Sequence, residues 1–201
     1  MTDRVRTAVL LSGSGRTLEN FMTRIEEGEL PLEIVAVISS RTDVRGVELA
    51  ANAGLNTAIF QRRDFPSRMV HNFVQNTWLM EQRPELILLC GYLSYYQRPD
   101  GFDGPVLNIH PALLPRFGGK GMYGDHVHRA VLEAGETESG CTVHHVTEVY
   151  DAGAIIAQQK VWVLPDDDPH TLAARVFAAE CELYPRVVRE IAEAILEGRS
   201  G

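Results

Sequence analysis

The sequence is poor in the features that mark secreted, membrane-bound or nucleic-acid-coating proteins. Only three of its 201 residues are cysteine, Cys90, Cys141 and Cys181, odd in number and far apart. No Cys-x-x-Cys pair occurs, which sets aside a zinc or dithiol site built on that spacing and points to a reducing compartment. Long hydrophobic runs are missing too. The first apolar stretch, Ala8 to Leu11, is far shorter than a signal-peptide core or a membrane span, so a cytoplasmic protein without a membrane partner is expected. Basic residues are in short supply: 19 Lys+Arg face 27 Asp+Glu, a formal charge of −8 with histidine neutral. Such a surface lacks the basic footprint of non-specific nucleic-acid binding, and no nucleic-acid partner is expected. An anionic ligand would need a local cradle of amides or a few chosen cations. Repeats and low-complexity tracts are also absent. What remains is 45% apolar and 23% charged, an ordinary globular composition. The length suits one compact domain, residues 1–201, and no linker divides it.

The first half alternates strand and helix signals. Val5 to Leu11 is apolar and stops at Ser12-Gly13-Ser14-Gly15, and a helical pattern follows from Thr17 to about Glu27. Leu32 to Ile38, a nearly continuous β-branched run, reads as a strand buried on both faces. A turn over Ser39 to Asp43, a helix to about Ala53 and a short strand at Thr57 to Phe60 come next. A helix from about Pro66 to Gln82 and strands at Glu85 to Cys90 and Val106 to Ile109 complete this half. The pattern implies an α/β fold, Rossmann-like and doubly wound, with a mostly parallel sheet. The second half differs. Leu114 to Asp125 reads as a Gly/Pro-rich loop and His126 to Ala134 as a short helix. Cys141 to Val146 and Ala154 to Leu164 form an antiparallel strand pair or hairpin around Tyr150-Asp151-Ala152-Gly153. Asp166 to Glu197 is a long C-terminal helix, with acidic residues at its start where the dipole favours them and Pro185 expected to kink or interrupt it.

Three segments carry chemistry. Ser12-Gly13-Ser14-Gly15-Arg16-Thr17 sits between a strand and a helix, where glycines admit a ligand to the backbone and helix-start amides can cradle an anion, typically phosphate. No Gly-Lys-Ser/Thr follows, so it is not a Walker loop, and Leu18 replaces the third glycine of the dinucleotide fingerprint. The bland alternative is a tight turn with Thr17 as helix cap. The second segment is Asn108-Ile109-His110-Pro111. On a strand end, Asn108 and His110 project to one side, at the carboxyl edge where open α/β sheets place ligands. An amide donor for an oxyanion beside a proton-carrying imidazole suits group transfer. The third is Asp151, before Gly153, which beside a histidine would orient the ring and raise its pKa, or else form an Asx turn. His126, His128, His144 and His145 are a weak metal signal without a matching carboxylate or thiolate cluster, and no metal is expected. Tyr92, Tyr95 and Tyr96, beyond a strand end, are packing residues or a wall for a flat ligand.

Together these segments resemble the phosphoribosylglycinamide formyltransferases, folate-dependent enzymes of purine biosynthesis. The resemblance runs from Val9 to about Val188. It is carried most specifically by Asn108-Ile109-His110-Pro111 with Leu113-Leu114-Pro115, and by Gly140 through Asp151 and Gly153. The amino-terminal Ser-Gly-x-Gly loop and the length point to the glycinamide ribonucleotide branch. The related methionyl-tRNA formyltransferases carry an added carboxyl-terminal domain, and the formyltetrahydrofolate hydrolases an added amino-terminal one. The resemblance implies 10-formyltetrahydrofolate as co-substrate, with glycinamide ribonucleotide as acceptor, in a monomer or homodimer. It implies phosphate binding by Gly13, Ser14, Gly15, Arg16 and Thr17, and catalysis by Asn108, His110 and Asp151. A protonated His110 would help Asn108 stabilise the oxyanion and carry the proton. Folate contacts would come from Arg68, from Leu93, Ser94, Tyr95 and Tyr96, from Asn108, and from Thr147, Glu148, Val149 and Tyr150. Glu180 would contact the glycinamide.

The chain departs from the family pattern at three places. Arg16-Thr17 replace the usual Ser/Thr and Asn, which leaves the amide cradle intact. Gly91-Tyr92-Leu93-Ser94 replaces the frequent Gly-Phe-Met-Arg, so the arginine at Ser94 is missing. Phe117 to Gly124 is longer and richer in glycine, as a mobile lid would be, with Lys120 able to reach an anion. These departures keep open a different amine acceptor, such as an amino sugar nucleotide. A non-catalytic nucleotide-binding module needs no such catalytic set. A nicotinamide oxidoreductase is disfavoured by the incomplete glycine fingerprint and by Ser39-Ser40-Arg41 where an acidic residue would end the second strand.

Overall fold

The computed structural model describes residues 3–199 and falls into two compact units. One comprises the residues up to Val106 and those from Val188 on; the other is Leu107–Val187.

The first unit is built on strands β1 (Val5–Leu11), β2 (Leu32–Ser39), β3 (Thr57–Ile59) and β4 (Leu86–Leu89), in the order β3-β2-β1-β4 with every pairing parallel. The β1 run Ala8 to Leu11 and the β4 run Leu86 to Leu88 are fully buried, as their unbroken apolar sequences require. Helices α1 (Arg16–Glu26), α2 (Arg45–Asn52) and α3 (Arg68–Glu81) make the crossovers. The chain winds from β1 out to β2 and β3, then returns to the other side of β1 for β4. The order therefore reverses at β1, and the crevice beyond the carboxyl ends of β1 and β4 is where open sheets of this kind take ligands. Ser12-Gly13-Ser14-Gly15 lies at that point. Helix α3 starts two residues later than the Pro66 expectation: Ser67 is its N-cap, its side chain accepting from Val70 N–H at 3.2 Å.

The second unit holds β5 (Val106–His110, whose first residue closes the first unit), α4 (Asp125–Glu133), β6 (Glu138–His145) and β7 (Ile155–Trp162). The pairings β5–β6 and β6–β7 are antiparallel. In the β5–β6 register Asn108 faces His144 and His110 faces Thr142. The last helix, α5 (Pro169–Gly198), runs on through Pro185, where a kink or interruption was expected. Leu183, Tyr184, Val187 and Val188 around that proline are all buried, and the Tyr184 hydroxyl donates to the Leu107 carbonyl at 3.1 Å. The acidic run Asp166-Asp167-Asp168 lies outside the helix rather than in its first turn. Asp168 Oδ1 caps the helix, accepting from His170 and Thr171 N–H at 2.8 Å each, and Asp167 pairs with Arg175 at 2.5 Å. The expected α/β class, with an antiparallel hairpin in the second half and a long C-terminal helix, is what the chain adopts.

Candidate active site

The glycine loop of the first unit is held by backbone packing. Gly15 is the N-cap of α1 at φ 74°, the left-handed region that favours glycine, and no side chain caps the helix there; Thr17 lies inside the first turn. A Cβ on Gly15 would meet Gly46 Cα at 2.6 Å, and Gly46 N–H donates to the Gly13 carbonyl at 3.1 Å. Gly13 has open space where a side chain would stand. Ser12 Oγ accepts from Leu93 N–H at 2.8 Å and lies 2.5 Å from Ser40 Oγ, so the ends of β1, β2 and β4 are tied at one hydroxyl. Ser14 and Arg16 are exposed. A cation that sequence reading missed stands here as well: Arg45, at the start of α2, donates to the Ser14 carbonyl at 3.3 Å and pairs with Glu19 at 2.5 Å. Its signal was its place four residues after the Ser39-Ser40-Arg41 strand end.

Also in the first unit, the Arg68 guanidinium lies over the Tyr95 ring, 4.7 Å from its centroid. Leu93 is exposed and Ser94 half-buried, while Tyr96 sits in the core with its hydroxyl unpartnered. Burial raises the Tyr96 phenol above its ordinary range, aided by Tyr92 and opposed by Arg98. Met69 and Phe73 leave a large part of the outer face of α3 apolar and exposed.

The second unit brings Asn108, His110 and Asp151 into one polar cluster and adds a fourth member, His144. His110 Nδ1 lies 3.6 Å from Asp151 Oδ2, and His144 Nε2 lies 3.5 Å from Asp151 Oδ1. His144 Nε2 is also 3.0 Å from Asn108 Nδ2. Asp151 Oδ2 accepts from Gly119 N–H at 2.8 Å, and His110 Nε2 donates to the Phe117 carbonyl at 2.8 Å. The glycine-rich loop after β5 therefore touches both the imidazole and the carboxylate. Asp151 itself takes φ 54°, a conformation that turns its carboxylate back toward β5, and a Cβ on Gly153 would collide with the His145 carbonyl at 1.7 Å. His110 and His144 are 3% and 2% exposed, so both rings take their hydrogen-bond partners from the protein.

Burial pushes the His110 pKa down, and that outweighs the upward pull of the Asp151 charge and the Phe117 carbonyl; His144 adds to the lowering. Asp151 raises His110 as expected, but the net direction is opposite, and the resting ring is neutral near neutral pH rather than an imidazolium. For Asp151, burial acts upward but is outweighed by the His144 ring, the charge of His110 and the Gly119 amide, and the carboxyl ends below its ordinary value.

The remaining sequence-identified residues are spread over the second unit. Thr147 Oγ1 donates to the Val149 carbonyl at 3.1 Å, and Glu148, Val149 and Tyr150 are exposed on the same turn before Asp151. Glu180, half-buried on α5, lies close enough to Cys141 for its charge to help burial push that thiol up to about 12. Lys120 is exposed on the loop. His126 stacks edge-on against Tyr123, His128 is buried, and His145 is exposed. Among the described residues no group of three or more His, Cys, Asp and Glu is arranged to hold a metal, and no helix is long and apolar enough to cross a membrane. His144 is the neighbour of Asn108 and Asp151 that sequence reading took only for a weak metal signal. The clue was its strand position, which pairs it with Asn108 once the β5–β6 register is known.

Comparison with known proteins shows the family. The formyl transferase family model matches residues 5–188. The phosphoribosylglycinamide formyltransferase of Haemophilus influenzae is 35% identical over 95% of this chain and 89% of its own length. The trifunctional purine biosynthetic protein adenosine-3 of Drosophila pseudoobscura pseudoobscura is 42% identical over 96% of this chain, which spans only 14% of that longer protein. Among solved structures, glycinamide ribonucleotide transformylase 1 from Symbiobacterium toebii superposes with a TM-score of 0.88 at 36% identity, covering 96% of this chain and 90% of that one. The chain belongs to the formyl transferase family, in its phosphoribosylglycinamide formyltransferase branch.

Proposed function

We propose that this protein transfers a formyl group from 10-formyltetrahydrofolate to the amine of glycinamide ribonucleotide, in de novo purine biosynthesis, and that the chain works as one catalytic domain in the cytoplasm. The observation that carries the reading is the linked set Asn108–His144–Asp151–His110, with contacts of 3.0, 3.5 and 3.6 Å in succession. A binding module has no use for a half-buried amide and carboxylate joined in this way to two buried imidazoles. The exposed Arg68 guanidinium on the Tyr95 ring suits a folate, which has a flat ring system and an acidic tail.

The folate supplies a formyl carbon bonded to a nitrogen that leaves as an amine. The amides from Gly13 to Thr17 hold the acceptor's phosphate, and Glu180 holds its glycinamide. As the acceptor amine attacks the formyl carbon, Asn108 donates an amide hydrogen to the oxygen that becomes negative. His110 enters neutral. Its Nε2 proton is committed to the Phe117 carbonyl, so Nδ1 carries the lone pair that takes the amine's proton. Protonation there turns the contact with Asp151 into an ion pair, which stabilises the imidazolium as it forms. His110 then returns the proton to the leaving nitrogen as the carbon–nitrogen bond of the donor breaks. The amine is formylated, and no covalent enzyme intermediate is needed.

The test is to mix the protein with both substrates and follow formylated acceptor by mass. Turnover dependent on both substrates is expected. Binding without turnover, or turnover only with another amine such as an amino sugar nucleotide, would overturn the proposal.

A further inference from the structure

The His144 ring has a defined hydrogen-bond polarity. Its Nδ1 is 2.8 Å from the His145 carbonyl, which can only accept, so Nδ1 carries a hydrogen. In the neutral ring Nε2 then carries a lone pair, and the Asn108 amide nitrogen at 3.0 Å donates to it. Asp151 Oδ1, at 3.5 Å, competes for the same nitrogen: a hydrogen on Nε2 would donate to the carboxylate and lower its pKa, whereas the shorter contact with the Asn108 amide nitrogen requires Nε2 to be bare, and the shorter contact is taken to decide. The backbone carbonyl of one residue thereby dictates which end of the Asn108 amide turns toward His144. An amide side chain left to itself has two orientations of similar shape, related by exchange of its oxygen and nitrogen. Only one of them leaves an N–H for a developing oxyanion while satisfying His144; the other sets the Asn108 oxygen against the Nε2 lone pair.

We infer that His144 is a positioning residue for the formyl transfer: its Nδ1–H tautomer, set by the His145 carbonyl, fixes the orientation of the Asn108 amide. The inference rests on the role given to Asn108 above. The ring is 2% exposed, so it has no water as an alternative partner, and the β5–β6 register sets the two residues opposite each other. The ionisable groups facing this ring are Asp151 and, beyond it, His110; His128 on α4 lies near His110 and completes the set.

The test has two parts. In the first, nitrogen-15 NMR of the wild-type protein reads the His144 tautomer directly, without activity. A hydrogen on Nδ1 and a bare Nε2 near neutral pH are expected; a hydrogen on Nε2 overturns the inference. In the second, His144→Leu and His144→Gln are assayed alone and with Asn108→Ala. His144→Leu is expected to lower kcat 10- to 100-fold with both KM values within about twofold. His144→Gln, whose side-chain oxygen can accept in place of Nε2, should recover most of the loss. In the Asn108→Ala background His144→Leu should have no further effect. Full multiplication of the two losses, or wild-type kcat in folded His144→Leu, would overturn it. An inactive wild-type protein would instead sink the proposed function, and the tautomer measurement would still decide the geometry.

Discussion

The glycine loop of the first unit and the β5–β6 cluster of the second solve two different problems by different means. In the proposed function the loop recognises an anion with backbone, so its specificity lies in conformation: a left-handed Gly15 pressed on Gly46, and an unobstructed Gly13. The cluster is proposed to move protons with side chains, so its performance would lie in burial and polarity: His110 and His144 shielded from water, each with one nitrogen committed to a backbone carbonyl. Damage to the first should alter binding and stability. Damage to the second should alter turnover.

The largest expected effect is on the cluster. His110→Ala and Asp151→Ala should each lower kcat by about 10²–10⁴, the usual worth of a positioned proton carrier. Asn108→Ala should lower it by about 10²–10³, as for loss of one oxyanion donor. Steady-state kinetics on protein with an unchanged melting profile check both, and a rise in KM alone would erase the contrast with the loop.

Next comes Gly15→Ala. It forces a Cβ to 2.6 Å from Gly46 Cα at φ 74°, and should lower the melting temperature as well as weaken acceptor binding. Gly13→Ala meets nothing within 4 Å, so it should leave melting unchanged and raise only the KM for the phosphate-bearing acceptor. Equal melting losses in the two variants would show that the loop is not held by the Gly15–Gly46 contact.

A smaller effect concerns pH. Burial holds His110 below the ordinary histidine value near 6.5, so the neutral base persists below that pH, and the acid limb of kcat/KM should have its midpoint below 6.5. Asp151 pulls the His110 pKa upward, so Asp151→Asn should move the His110 midpoint lower still, read by NMR titration. A midpoint above 6.5 would mean that the carboxylate outweighs burial. The smallest effect is at Arg45: it is exposed and already paired with Glu19, so Arg45→Ala should raise the acceptor KM only a few-fold, and less at high salt.

The same contrast explains what the sequence could disclose. The loop was legible because glycine spacing after an apolar run states a backbone conformation locally. The buried strands were legible for a similar reason, since Ala36 to Ile38 and Leu86 to Cys90 are unbroken apolar runs and are buried, although the start of β2, with Glu33 exposed and Ile34 and Val35 half-buried, is not closed on both faces as expected. Asn108 and His110 could be paired with each other by alternation along one strand, but not with Asp151 or His144. Those meetings depend on the β5–β6 register and on the left-handed turn at Asp151, which no local pattern states. Pro185 misled because a proline's local cost was weighed without the buried Leu183, Tyr184, Val187 and Val188 that keep the helix in place. The sign of the His110 shift misled likewise: a neighbouring carboxylate can be proposed from sequence, but the depth of burial that outweighs it cannot.

The most direct test of the central claim is kcat for wild type and His110→Ala, with glycinamide ribonucleotide and 10-formyltetrahydrofolate both saturating. Wild-type turnover and a loss of at least about 10²-fold in the variant, with an unchanged melting profile, are expected. A folded His110→Ala protein that formylates the acceptor at the wild-type rate would contradict it.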